Sequence, residues 1–384
     1  NNLIVDEGDP FNEILFNRSI NDIQSLGIFK KVETNIQKGS KDSFKIIDLN
    51  VEERPTGEIS LTAGFGTAGE TIGAGIRENN FLGKGVNLDT NFEITADSLK
   101  GKFVYAKPNF NYSDNTLFTS LESSTSDFLS QSGYKTSKLG FSLGTRFEQF
   151  QNIYLSPEID FLIEDLETSS KASNLIKKQE GSYTDLYFNY SINQDLRDKK
   201  FRTEDGFVTT FSQELPIISD NSELSNSFDI TTFKKLSTRS DIVGKLSFFG
   251  KTITGLSDDV RISKRLYIPS SRLRGFAKAK VGPLDNNDYI GGNHLTSLNM
   301  SATLPNIFEG LDNLDVGVFF DAANIWGIDY DSSLDDKSTI RSSAGIGLNL
   351  LTPIGPLSFS FANAISKASS DKTETFRFNL GTQF

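Results

Sequence analysis

The chain has 384 residues with a net charge of −11, 36% hydrophobic residues and a mean hydropathy of −0.31. It holds no apolar run of about 18 residues, which excludes a helical membrane protein but not a barrel, whose strands alternate polar and apolar positions. With no Cys and one His, it can build no disulfide framework, thiolate nucleophile, Cys/His zinc cluster or His pair, and the negative charge speaks against nucleic acid.

Residues 1–55 differ from the rest. No signal peptide is visible ahead of them, so Asn1 reads as the start of a mature or trimmed fragment. Asp9-Pro10 places a capping carboxylate before a proline at the first helical position. Phe16, Ile20, Ile23 and Leu26 follow at helical spacing until Gly27 ends the helix. Val32–Ile36 and Phe44–Val51 then read as strands joined through Lys38-Gly-Ser40. A helix on a small sheet without an opening strand looks like the latter part of an α+β domain.

From Gly57 the signal changes to short strands separated by polar or Gly-rich turns. Ile59, Leu61, Ala63 and Phe65 alternate with Ser60, Thr62, Gly64 and Gly66; Leu186, Phe188, Tyr190 and Ile192 alternate with Tyr187, Asn189, Ser191 and Asn193. About sixteen strands are expected over residues 56–384. They begin near Glu58, Thr71, Val86, Gly101, Thr116, Tyr134, Ile153, Tyr183, Gly206, Leu224, Ser240, Asn293, Asp312, Ile340, Gly355 and Thr373. An even number suits an all-β transmembrane barrel of antiparallel strands whose two ends lie on one side. Tyr105, Phe110, Tyr154, Tyr267 and Trp326 fall near strand ends, where an interfacial girdle sits. A soluble sandwich or propeller is the competing reading. The polar file of Asn189, Ser191, Asn193 and Asp195 weighs against it, although a sandwich also wets one face.

Further along, His294 in Gly291-Gly-Asn-His294 is the only candidate histidine base and reads as a loop or rim residue. From Ile340 onward Ala344, Ile346, Leu348 and Leu350 alternate with small polar residues, Thr352-Pro-Ile-Gly-Pro356 turns the chain, and Leu357, Phe359 and Phe361 resume the pattern. Phe376, Phe378, Leu380, Thr382 and Phe384 then keep strict period two to the chain end. That segment reads either as a barrel-closing strand with an interfacial aromatic or as an ordinary sheet edge.

Three segments in order resemble the outer-membrane assembly family typified by BamA. They are Ser271-Arg-Leu-Arg-Gly-Phe276, like the Arg-Gly-Phe/Tyr signature of the sixth extracellular loop; Phe319-Phe-Asp-Ala-Ala-Asn-Ile-Trp326, like an Asp-bearing strand; and Pro353-Ile-Gly-Pro-Leu357 with the Phe-ending last strand. Residues 1–55, with Leu26-Gly-Ile-Phe29 and Val51-Glu-Glu-Arg-Pro-Thr-Gly57, look like the end of a periplasmic POTRA domain, and residues 56–384 like the barrel. The resemblance implies an insertase in the bacterial outer membrane that handles unfolded barrel proteins, with periplasmic chaperones and accessory lipoproteins as partners, and with no enzyme chemistry or cofactor.

The resemblance also implies two sites. One is a loop lock in which Arg274, Gly275 and Phe276 enter the lumen and Arg274 meets an acid. Asp321 shares its face with Asp315, Gly317 and Phe319, opposite Leu314, Val316, Val318 and Phe320, so it points inward if the apolar file faces lipid. A solvated Arg274 is the plainer alternative. Ser301, four residues before Pro305, stands where relatives commonly carry Glu, which removes one possible acidic partner. The other site is a lateral seam between Ile59, Leu61, Ala63 and Phe65 of the first strand and Phe376, Phe378, Leu380 and Phe384 of the last. Gly64 and Gly66 weaken the first strand for that purpose, or serve barrel curvature. The alternatives are a related translocation factor and a passive porin or uptake channel.

Overall fold

The alternation of apolar and polar residues after residue 56 builds one closed ladder. A computed structural model describes residues 7–381 apart from 26–27, 42–43, 68, 131, 201, 238–240, 306–312, 336 and 353–354. Ahead of the barrel stand helix α1 (Glu13–Ser25) and a hairpin of β1 (Phe29–Lys38) and β2 (Lys45–Glu53), paired from Phe29↔Glu53 to Lys38↔Lys45.

The helix begins later than the Asp9-Pro10 reading expects. Asn12 caps it instead, its Oδ1 accepting from the amides of Ile14 at 2.9 Å and Leu15 at 3.2 Å, which supplies the partner that the first turn lacks. Phe16, Ser19 and Ile23 form its buried stripe. Leu26 and Gly27, expected at its end, lie outside the described residues.

The barrel is formed by β3 (Gly57–Gly66), β4 (Gly69–Glu78), β5 (Asn87–Thr95), β6 (Ser98–Lys107), β7 (Thr116–Phe128), β8 (Tyr134–Phe150), β9 (Ile153–Thr168), β10 (Gly181–Asp195), β11 (Gly206–Ser219), β12 (Glu223–Lys235), β13 (Val243–Gly255), β16 (His294–Pro305), β17 (Leu314–Trp326), β18 (Arg341–Thr352), β19 (Gly355–Ser366) and β20 (Phe376–Leu380). These sixteen antiparallel strands close on themselves through β20 and β3. Each strand starts within three residues of its expected position. Two of the expected starts, Ser240 and Asp312, lie outside the described residues.

Neighbouring strands hydrogen-bond around the closed barrel, so side chains settle the two faces. Leu139, Phe141 and Leu143 on β8 and Ile159, Phe161 and Ile163 on β9 point outward, while Ser142, Asp160 and Glu164 point inward. An apolar belt of this extent requires an apolar solvent. No helix among the described residues is long and apolar enough to cross a membrane; the strands do so.

The chain enters β3 from the helix and hairpin at one end of the barrel. The other end carries the three longest connections, residues 169–180, 256–293 and 327–340. The sixth connection at that end, residues 256–293, contains the short hairpin of β14 (Leu284–Asp285) and β15 (Asp288–Tyr289) and folds inward. It organises two apolar clusters. The deeper joins Ile268, Leu273, Phe276 and Val281 of the loop to Leu295, Ala323 and Ile325 of β16 and β17. The outer joins Ile262 and Ile290 to Tyr134, Leu166, Ala172 and Ile176 of the neighbouring loop bases. Tyr267 belongs to this dome rather than to a girdle, its hydroxyl donating to the Tyr289 carbonyl at 3.0 Å.

Candidate functional site

The inward loop meets the wall at Arg274. Gly275 makes the approach possible: its φ is +87°, and a Cβ there would lie 3.1 Å from Ala362 Cβ and 3.2 Å from Ser343 Cβ. Beside it, Arg274 grips Asp321 of β17 in a fork, Nε to Oδ2 at 2.8 Å and Nη2 to Oδ1 at 2.8 Å. The Arg274 amide donates to the same carboxylate at 3.1 Å, and Asn299 Nδ2 of β16 donates to Oδ1 at 2.8 Å. The guanidinium lies over the Phe319 ring at 3.4 Å, and Ser343 Oγ donates to the Arg274 carbonyl at 2.5 Å. Planar, two-pronged pairing of this kind suits arginine and not lysine.

Asp321 is fully buried, so its charge depends on these donors. Ser301, opposite Phe319 on the facing strand, lies one inward step from Asn299, and in this chain it is the amide of Asn299 that completes the carboxylate shell. A double-mutant cycle measures the pair. With Arg274→Ala and Asp321→Ala, a coupling of about 1 to 3 kcal/mol is expected in urea unfolding and in protease resistance of the loop. Simple additivity of the two changes counts against the pair.

Sequence reasoning missed three further arginines of the same loop. Arg272 reaches Asp229 of β12 and stacks on Phe249 at 4.2 Å; Arg265 reaches Asp329 of the next loop. Arg261 is fully buried among three carboxylates. Its Nη2 lies 2.5 Å from Asp185 Oδ2 and 3.4 Å from Glu223 Oε2, and its Nη1 lies 3.3 Å from Glu164 Oε2. Lys138 Nζ stands 3.1 Å from Glu164 Oε1, which brings a second cation to the cluster. The loop is therefore braced against β9, β10 and β12 on one wall and β17 on another.

At the closing seam the described residues register as Asn379↔Gly66 and Leu380↔Phe65, and the Thr67 amide donates to the Phe378 carbonyl at 3.1 Å. By contrast β19 and β20 share five registered pairs and β3 and β4 share ten. Phe65 meets Phe378, ring centroids 5.7 Å apart. Phe376 and Phe378 sit opposite Phe361 and Phe359 of β19. Ala63 lies beside Gly381, just past β20, where a Cβ would come within 2.2 Å of the Ala63 carbonyl oxygen; Ile59 and Leu61, at 81% and 83% exposure, have no registered partner on the last strand among the described residues, and Phe384 lies outside them. Gly66 is required at the seam by close approach, since a Cβ would lie 2.5 Å from the Phe378 carbonyl oxygen. His294 opens β16 with its ring 5.5 Å from that of Trp326, at the loop-covered rim.

Comparison with known proteins gives a consistent picture. The Omp85 superfamily domain matches residues 80–384. Outer membrane protein assembly factor BamA of Neorickettsia risticii is 23% identical over 400 aligned residues, covering 100% of this chain and 52% of that protein. The chain spans about half the length of the curated relatives it matches. Among solved structures, BamA from Haemophilus ducreyi lacking POTRA domains 1–3 superposes with a TM-score of 0.86 at 22% identity, covering 100% of this chain and 81% of that one. CdiB from Acinetobacter baumannii gives 0.60 at 13% identity, covering 99% and 70%. These structural likenesses concern the fold.

Proposed function

This chain belongs to the Omp85 superfamily, and on that premise we propose that it is a BamA-like factor that assembles β-barrel proteins into the bacterial outer membrane through the seam between β3 and β20. Residues 1–55 are then the end of a POTRA domain on the periplasmic side, and the covered end of the barrel faces outward. Unfolded barrel proteins are the substrates, delivered by periplasmic chaperones, with accessory lipoproteins as further partners.

The observation that carries the reading is the match of residues 80–384 to the Omp85 superfamily domain, in a barrel that closes between its first and last strands. Closure sets Phe65 and Gly66 of β3 against Leu380 and Asn379 of β20, so the line where the wall closes joins the first strand to the last. Parted from β20, the edge of β3 offers main-chain donors and acceptors to an incoming strand, and each strand so added brings the substrate closer to its own closure. No covalent chemistry is needed.

A passive porin fits less well because the sixth loop and its neighbours fill the covered end with two apolar clusters and four arginine anchors. A related translocation factor would share the barrel and differ in its substrates. The test is reconstitution. The full chain in liposomes is expected to speed the appearance of folded, heat-modifiable test barrel protein over lipid alone. A test protein that folds at the lipid-only rate, or a large steady conductance of the chain in a planar bilayer, overturns the reading.

A further inference from the structure

The last strand has a second partner inside the lumen. Arg377 lies on the inward face of β20 with Asn379, opposite the outward file of Phe376, Phe378 and Leu380. Its guanidinium donates through Nη1 to the Ser270 carbonyl at 2.8 Å and through Nη2 to the Phe276 carbonyl at 2.7 Å. Glu374 orients it, accepting from Nε at 3.0 Å and Nη2 at 2.7 Å. Ser270 and Phe276 bracket the tip of the inward loop, so one side chain of the last strand spans the whole of that tip. Its side chain is only 13% exposed.

The backbone adds to this. The Ala277 amide donates to Lys372 O, the Lys372 amide to Lys280 O and the Glu374 amide to Gly275 O, each at 3.0 Å, and Phe276 bridges Thr373. The stretch that leads into β20 thus pairs with the loop in the manner of a short ribbon. The approach to β20 is tied to the loop by backbone and side chain together.

We infer that Arg377 is a positioning residue that clasps the last strand to the tip of the sixth loop, so that release of the loop and separation of β20 from β3 are one event. The inference rests on the seam reading and adds its control. With the clasp made, β20 is held where residues 379 and 380 meet β3. With it broken, β20 loses its tie to the loop, and the seam parts more readily. An arginine is suited to the task because its fork can donate to two carbonyls while a carboxylate fixes its plane; a lysine carries its three donors on a single nitrogen and lacks the separated, coplanar fork.

The experiment uses the full chain in lipid nanodiscs with Phe65→Cys and Leu380→Cys, which face each other across the seam in a chain free of other cysteines. Under a fixed oxidant, Arg377→Gln is expected to slow disulfide formation about tenfold, the loss that goes with two hydrogen bonds, and Arg377→Lys to recover part of it. Trypsin should cut Arg377→Gln faster after Arg272 and Arg274, while the dome around Arg261 stays resistant, a split that general loosening of the barrel does not produce. Should Arg377→Gln fail to fold, Glu374→Gln keeps the arginine, frees its plane and is expected to show an intermediate slowing. Unchanged crosslinking together with an unchanged tryptic pattern in the folded variant overturns the clasp. Failure of the seam reading shows differently, as full insertion activity by a barrel whose seam is crosslinked.

Discussion

A disulfide between Phe65→Cys and Leu380→Cys is expected to reduce insertion of a test barrel protein to the lipid-only rate, and a reductant to restore it. The register places these two positions opposite each other, and such pairs in antiparallel strands bring Cα atoms within the roughly 7 Å that a disulfide tolerates. The neighbouring pair, Gly66 with Asn379, suits less well, because a Cβ at Gly66 would press on the Phe378 carbonyl. With no native Cys, the oxidised protein can hold only the intended bond. The effect is large because a covalent link across the closing seam prevents its separation, while leaving the remaining fifteen strand junctions as they were. The reduced double variant is the control for the loss of Phe65, whose ring contacts Phe378. A fully crosslinked seam that inserts substrate at the uncrosslinked rate overturns the gate.

The strands were legible because their signal is local. Period-two alternation of outward Ile159, Phe161 and Ile163 against inward Asp160, Leu162 and Glu164 needs only neighbouring residues to be read. The same parity places Asp321 on the inward face. The helix start was misread because Asp9-Pro10 and Asn12 both carry capping chemistry, and only the backbone decides which amides are within reach. The register of the seam was not legible at all: residues 65 and 380 are paired by closure of the whole barrel, and nothing near either residue encodes the offset. The arginines of residues 256–293 were missed for a related reason, since a loop has no period and its partners lie on strands far away in sequence. One signal for Arg261 did exist. Following the inward file of β10 from Asn189 back to Tyr187 and Asp185 places a carboxylate at the loop-covered rim, where a buried charge calls for a cation.

Arg261→Met is expected to be the most damaging single change in the dome. Arg261, Asp185 and Glu164 are fully buried and Glu223 nearly so, and the arginine amide also donates to Glu223 Oε1 at 2.9 Å. Burial makes the pair energies large and the desolvation cost large as well, so the net worth of the whole cluster is modest. Removing the cation alone is different. It leaves Glu164, Asp185 and Glu223 facing one another, with Lys138 near Glu164 only, and breaking such a buried arrangement costs about 3 to 5 kcal/mol. Methionine keeps much of the side-chain volume beside Tyr183, over whose ring the guanidinium now lies at 4.5 Å, so the loss reports charge more than packing. The measurement is proteolysis of the loops together with urea unfolding of the reconstituted barrel. Adding Glu223→Gln to Arg261→Met should recover part of the loss, because it removes one of the stranded charges, whereas Glu223→Gln alone should destabilise. That reversal of sign distinguishes an electrostatic brace from simple packing. A dome that stays protease-resistant in Arg261→Met, with an unchanged unfolding midpoint, overturns the account.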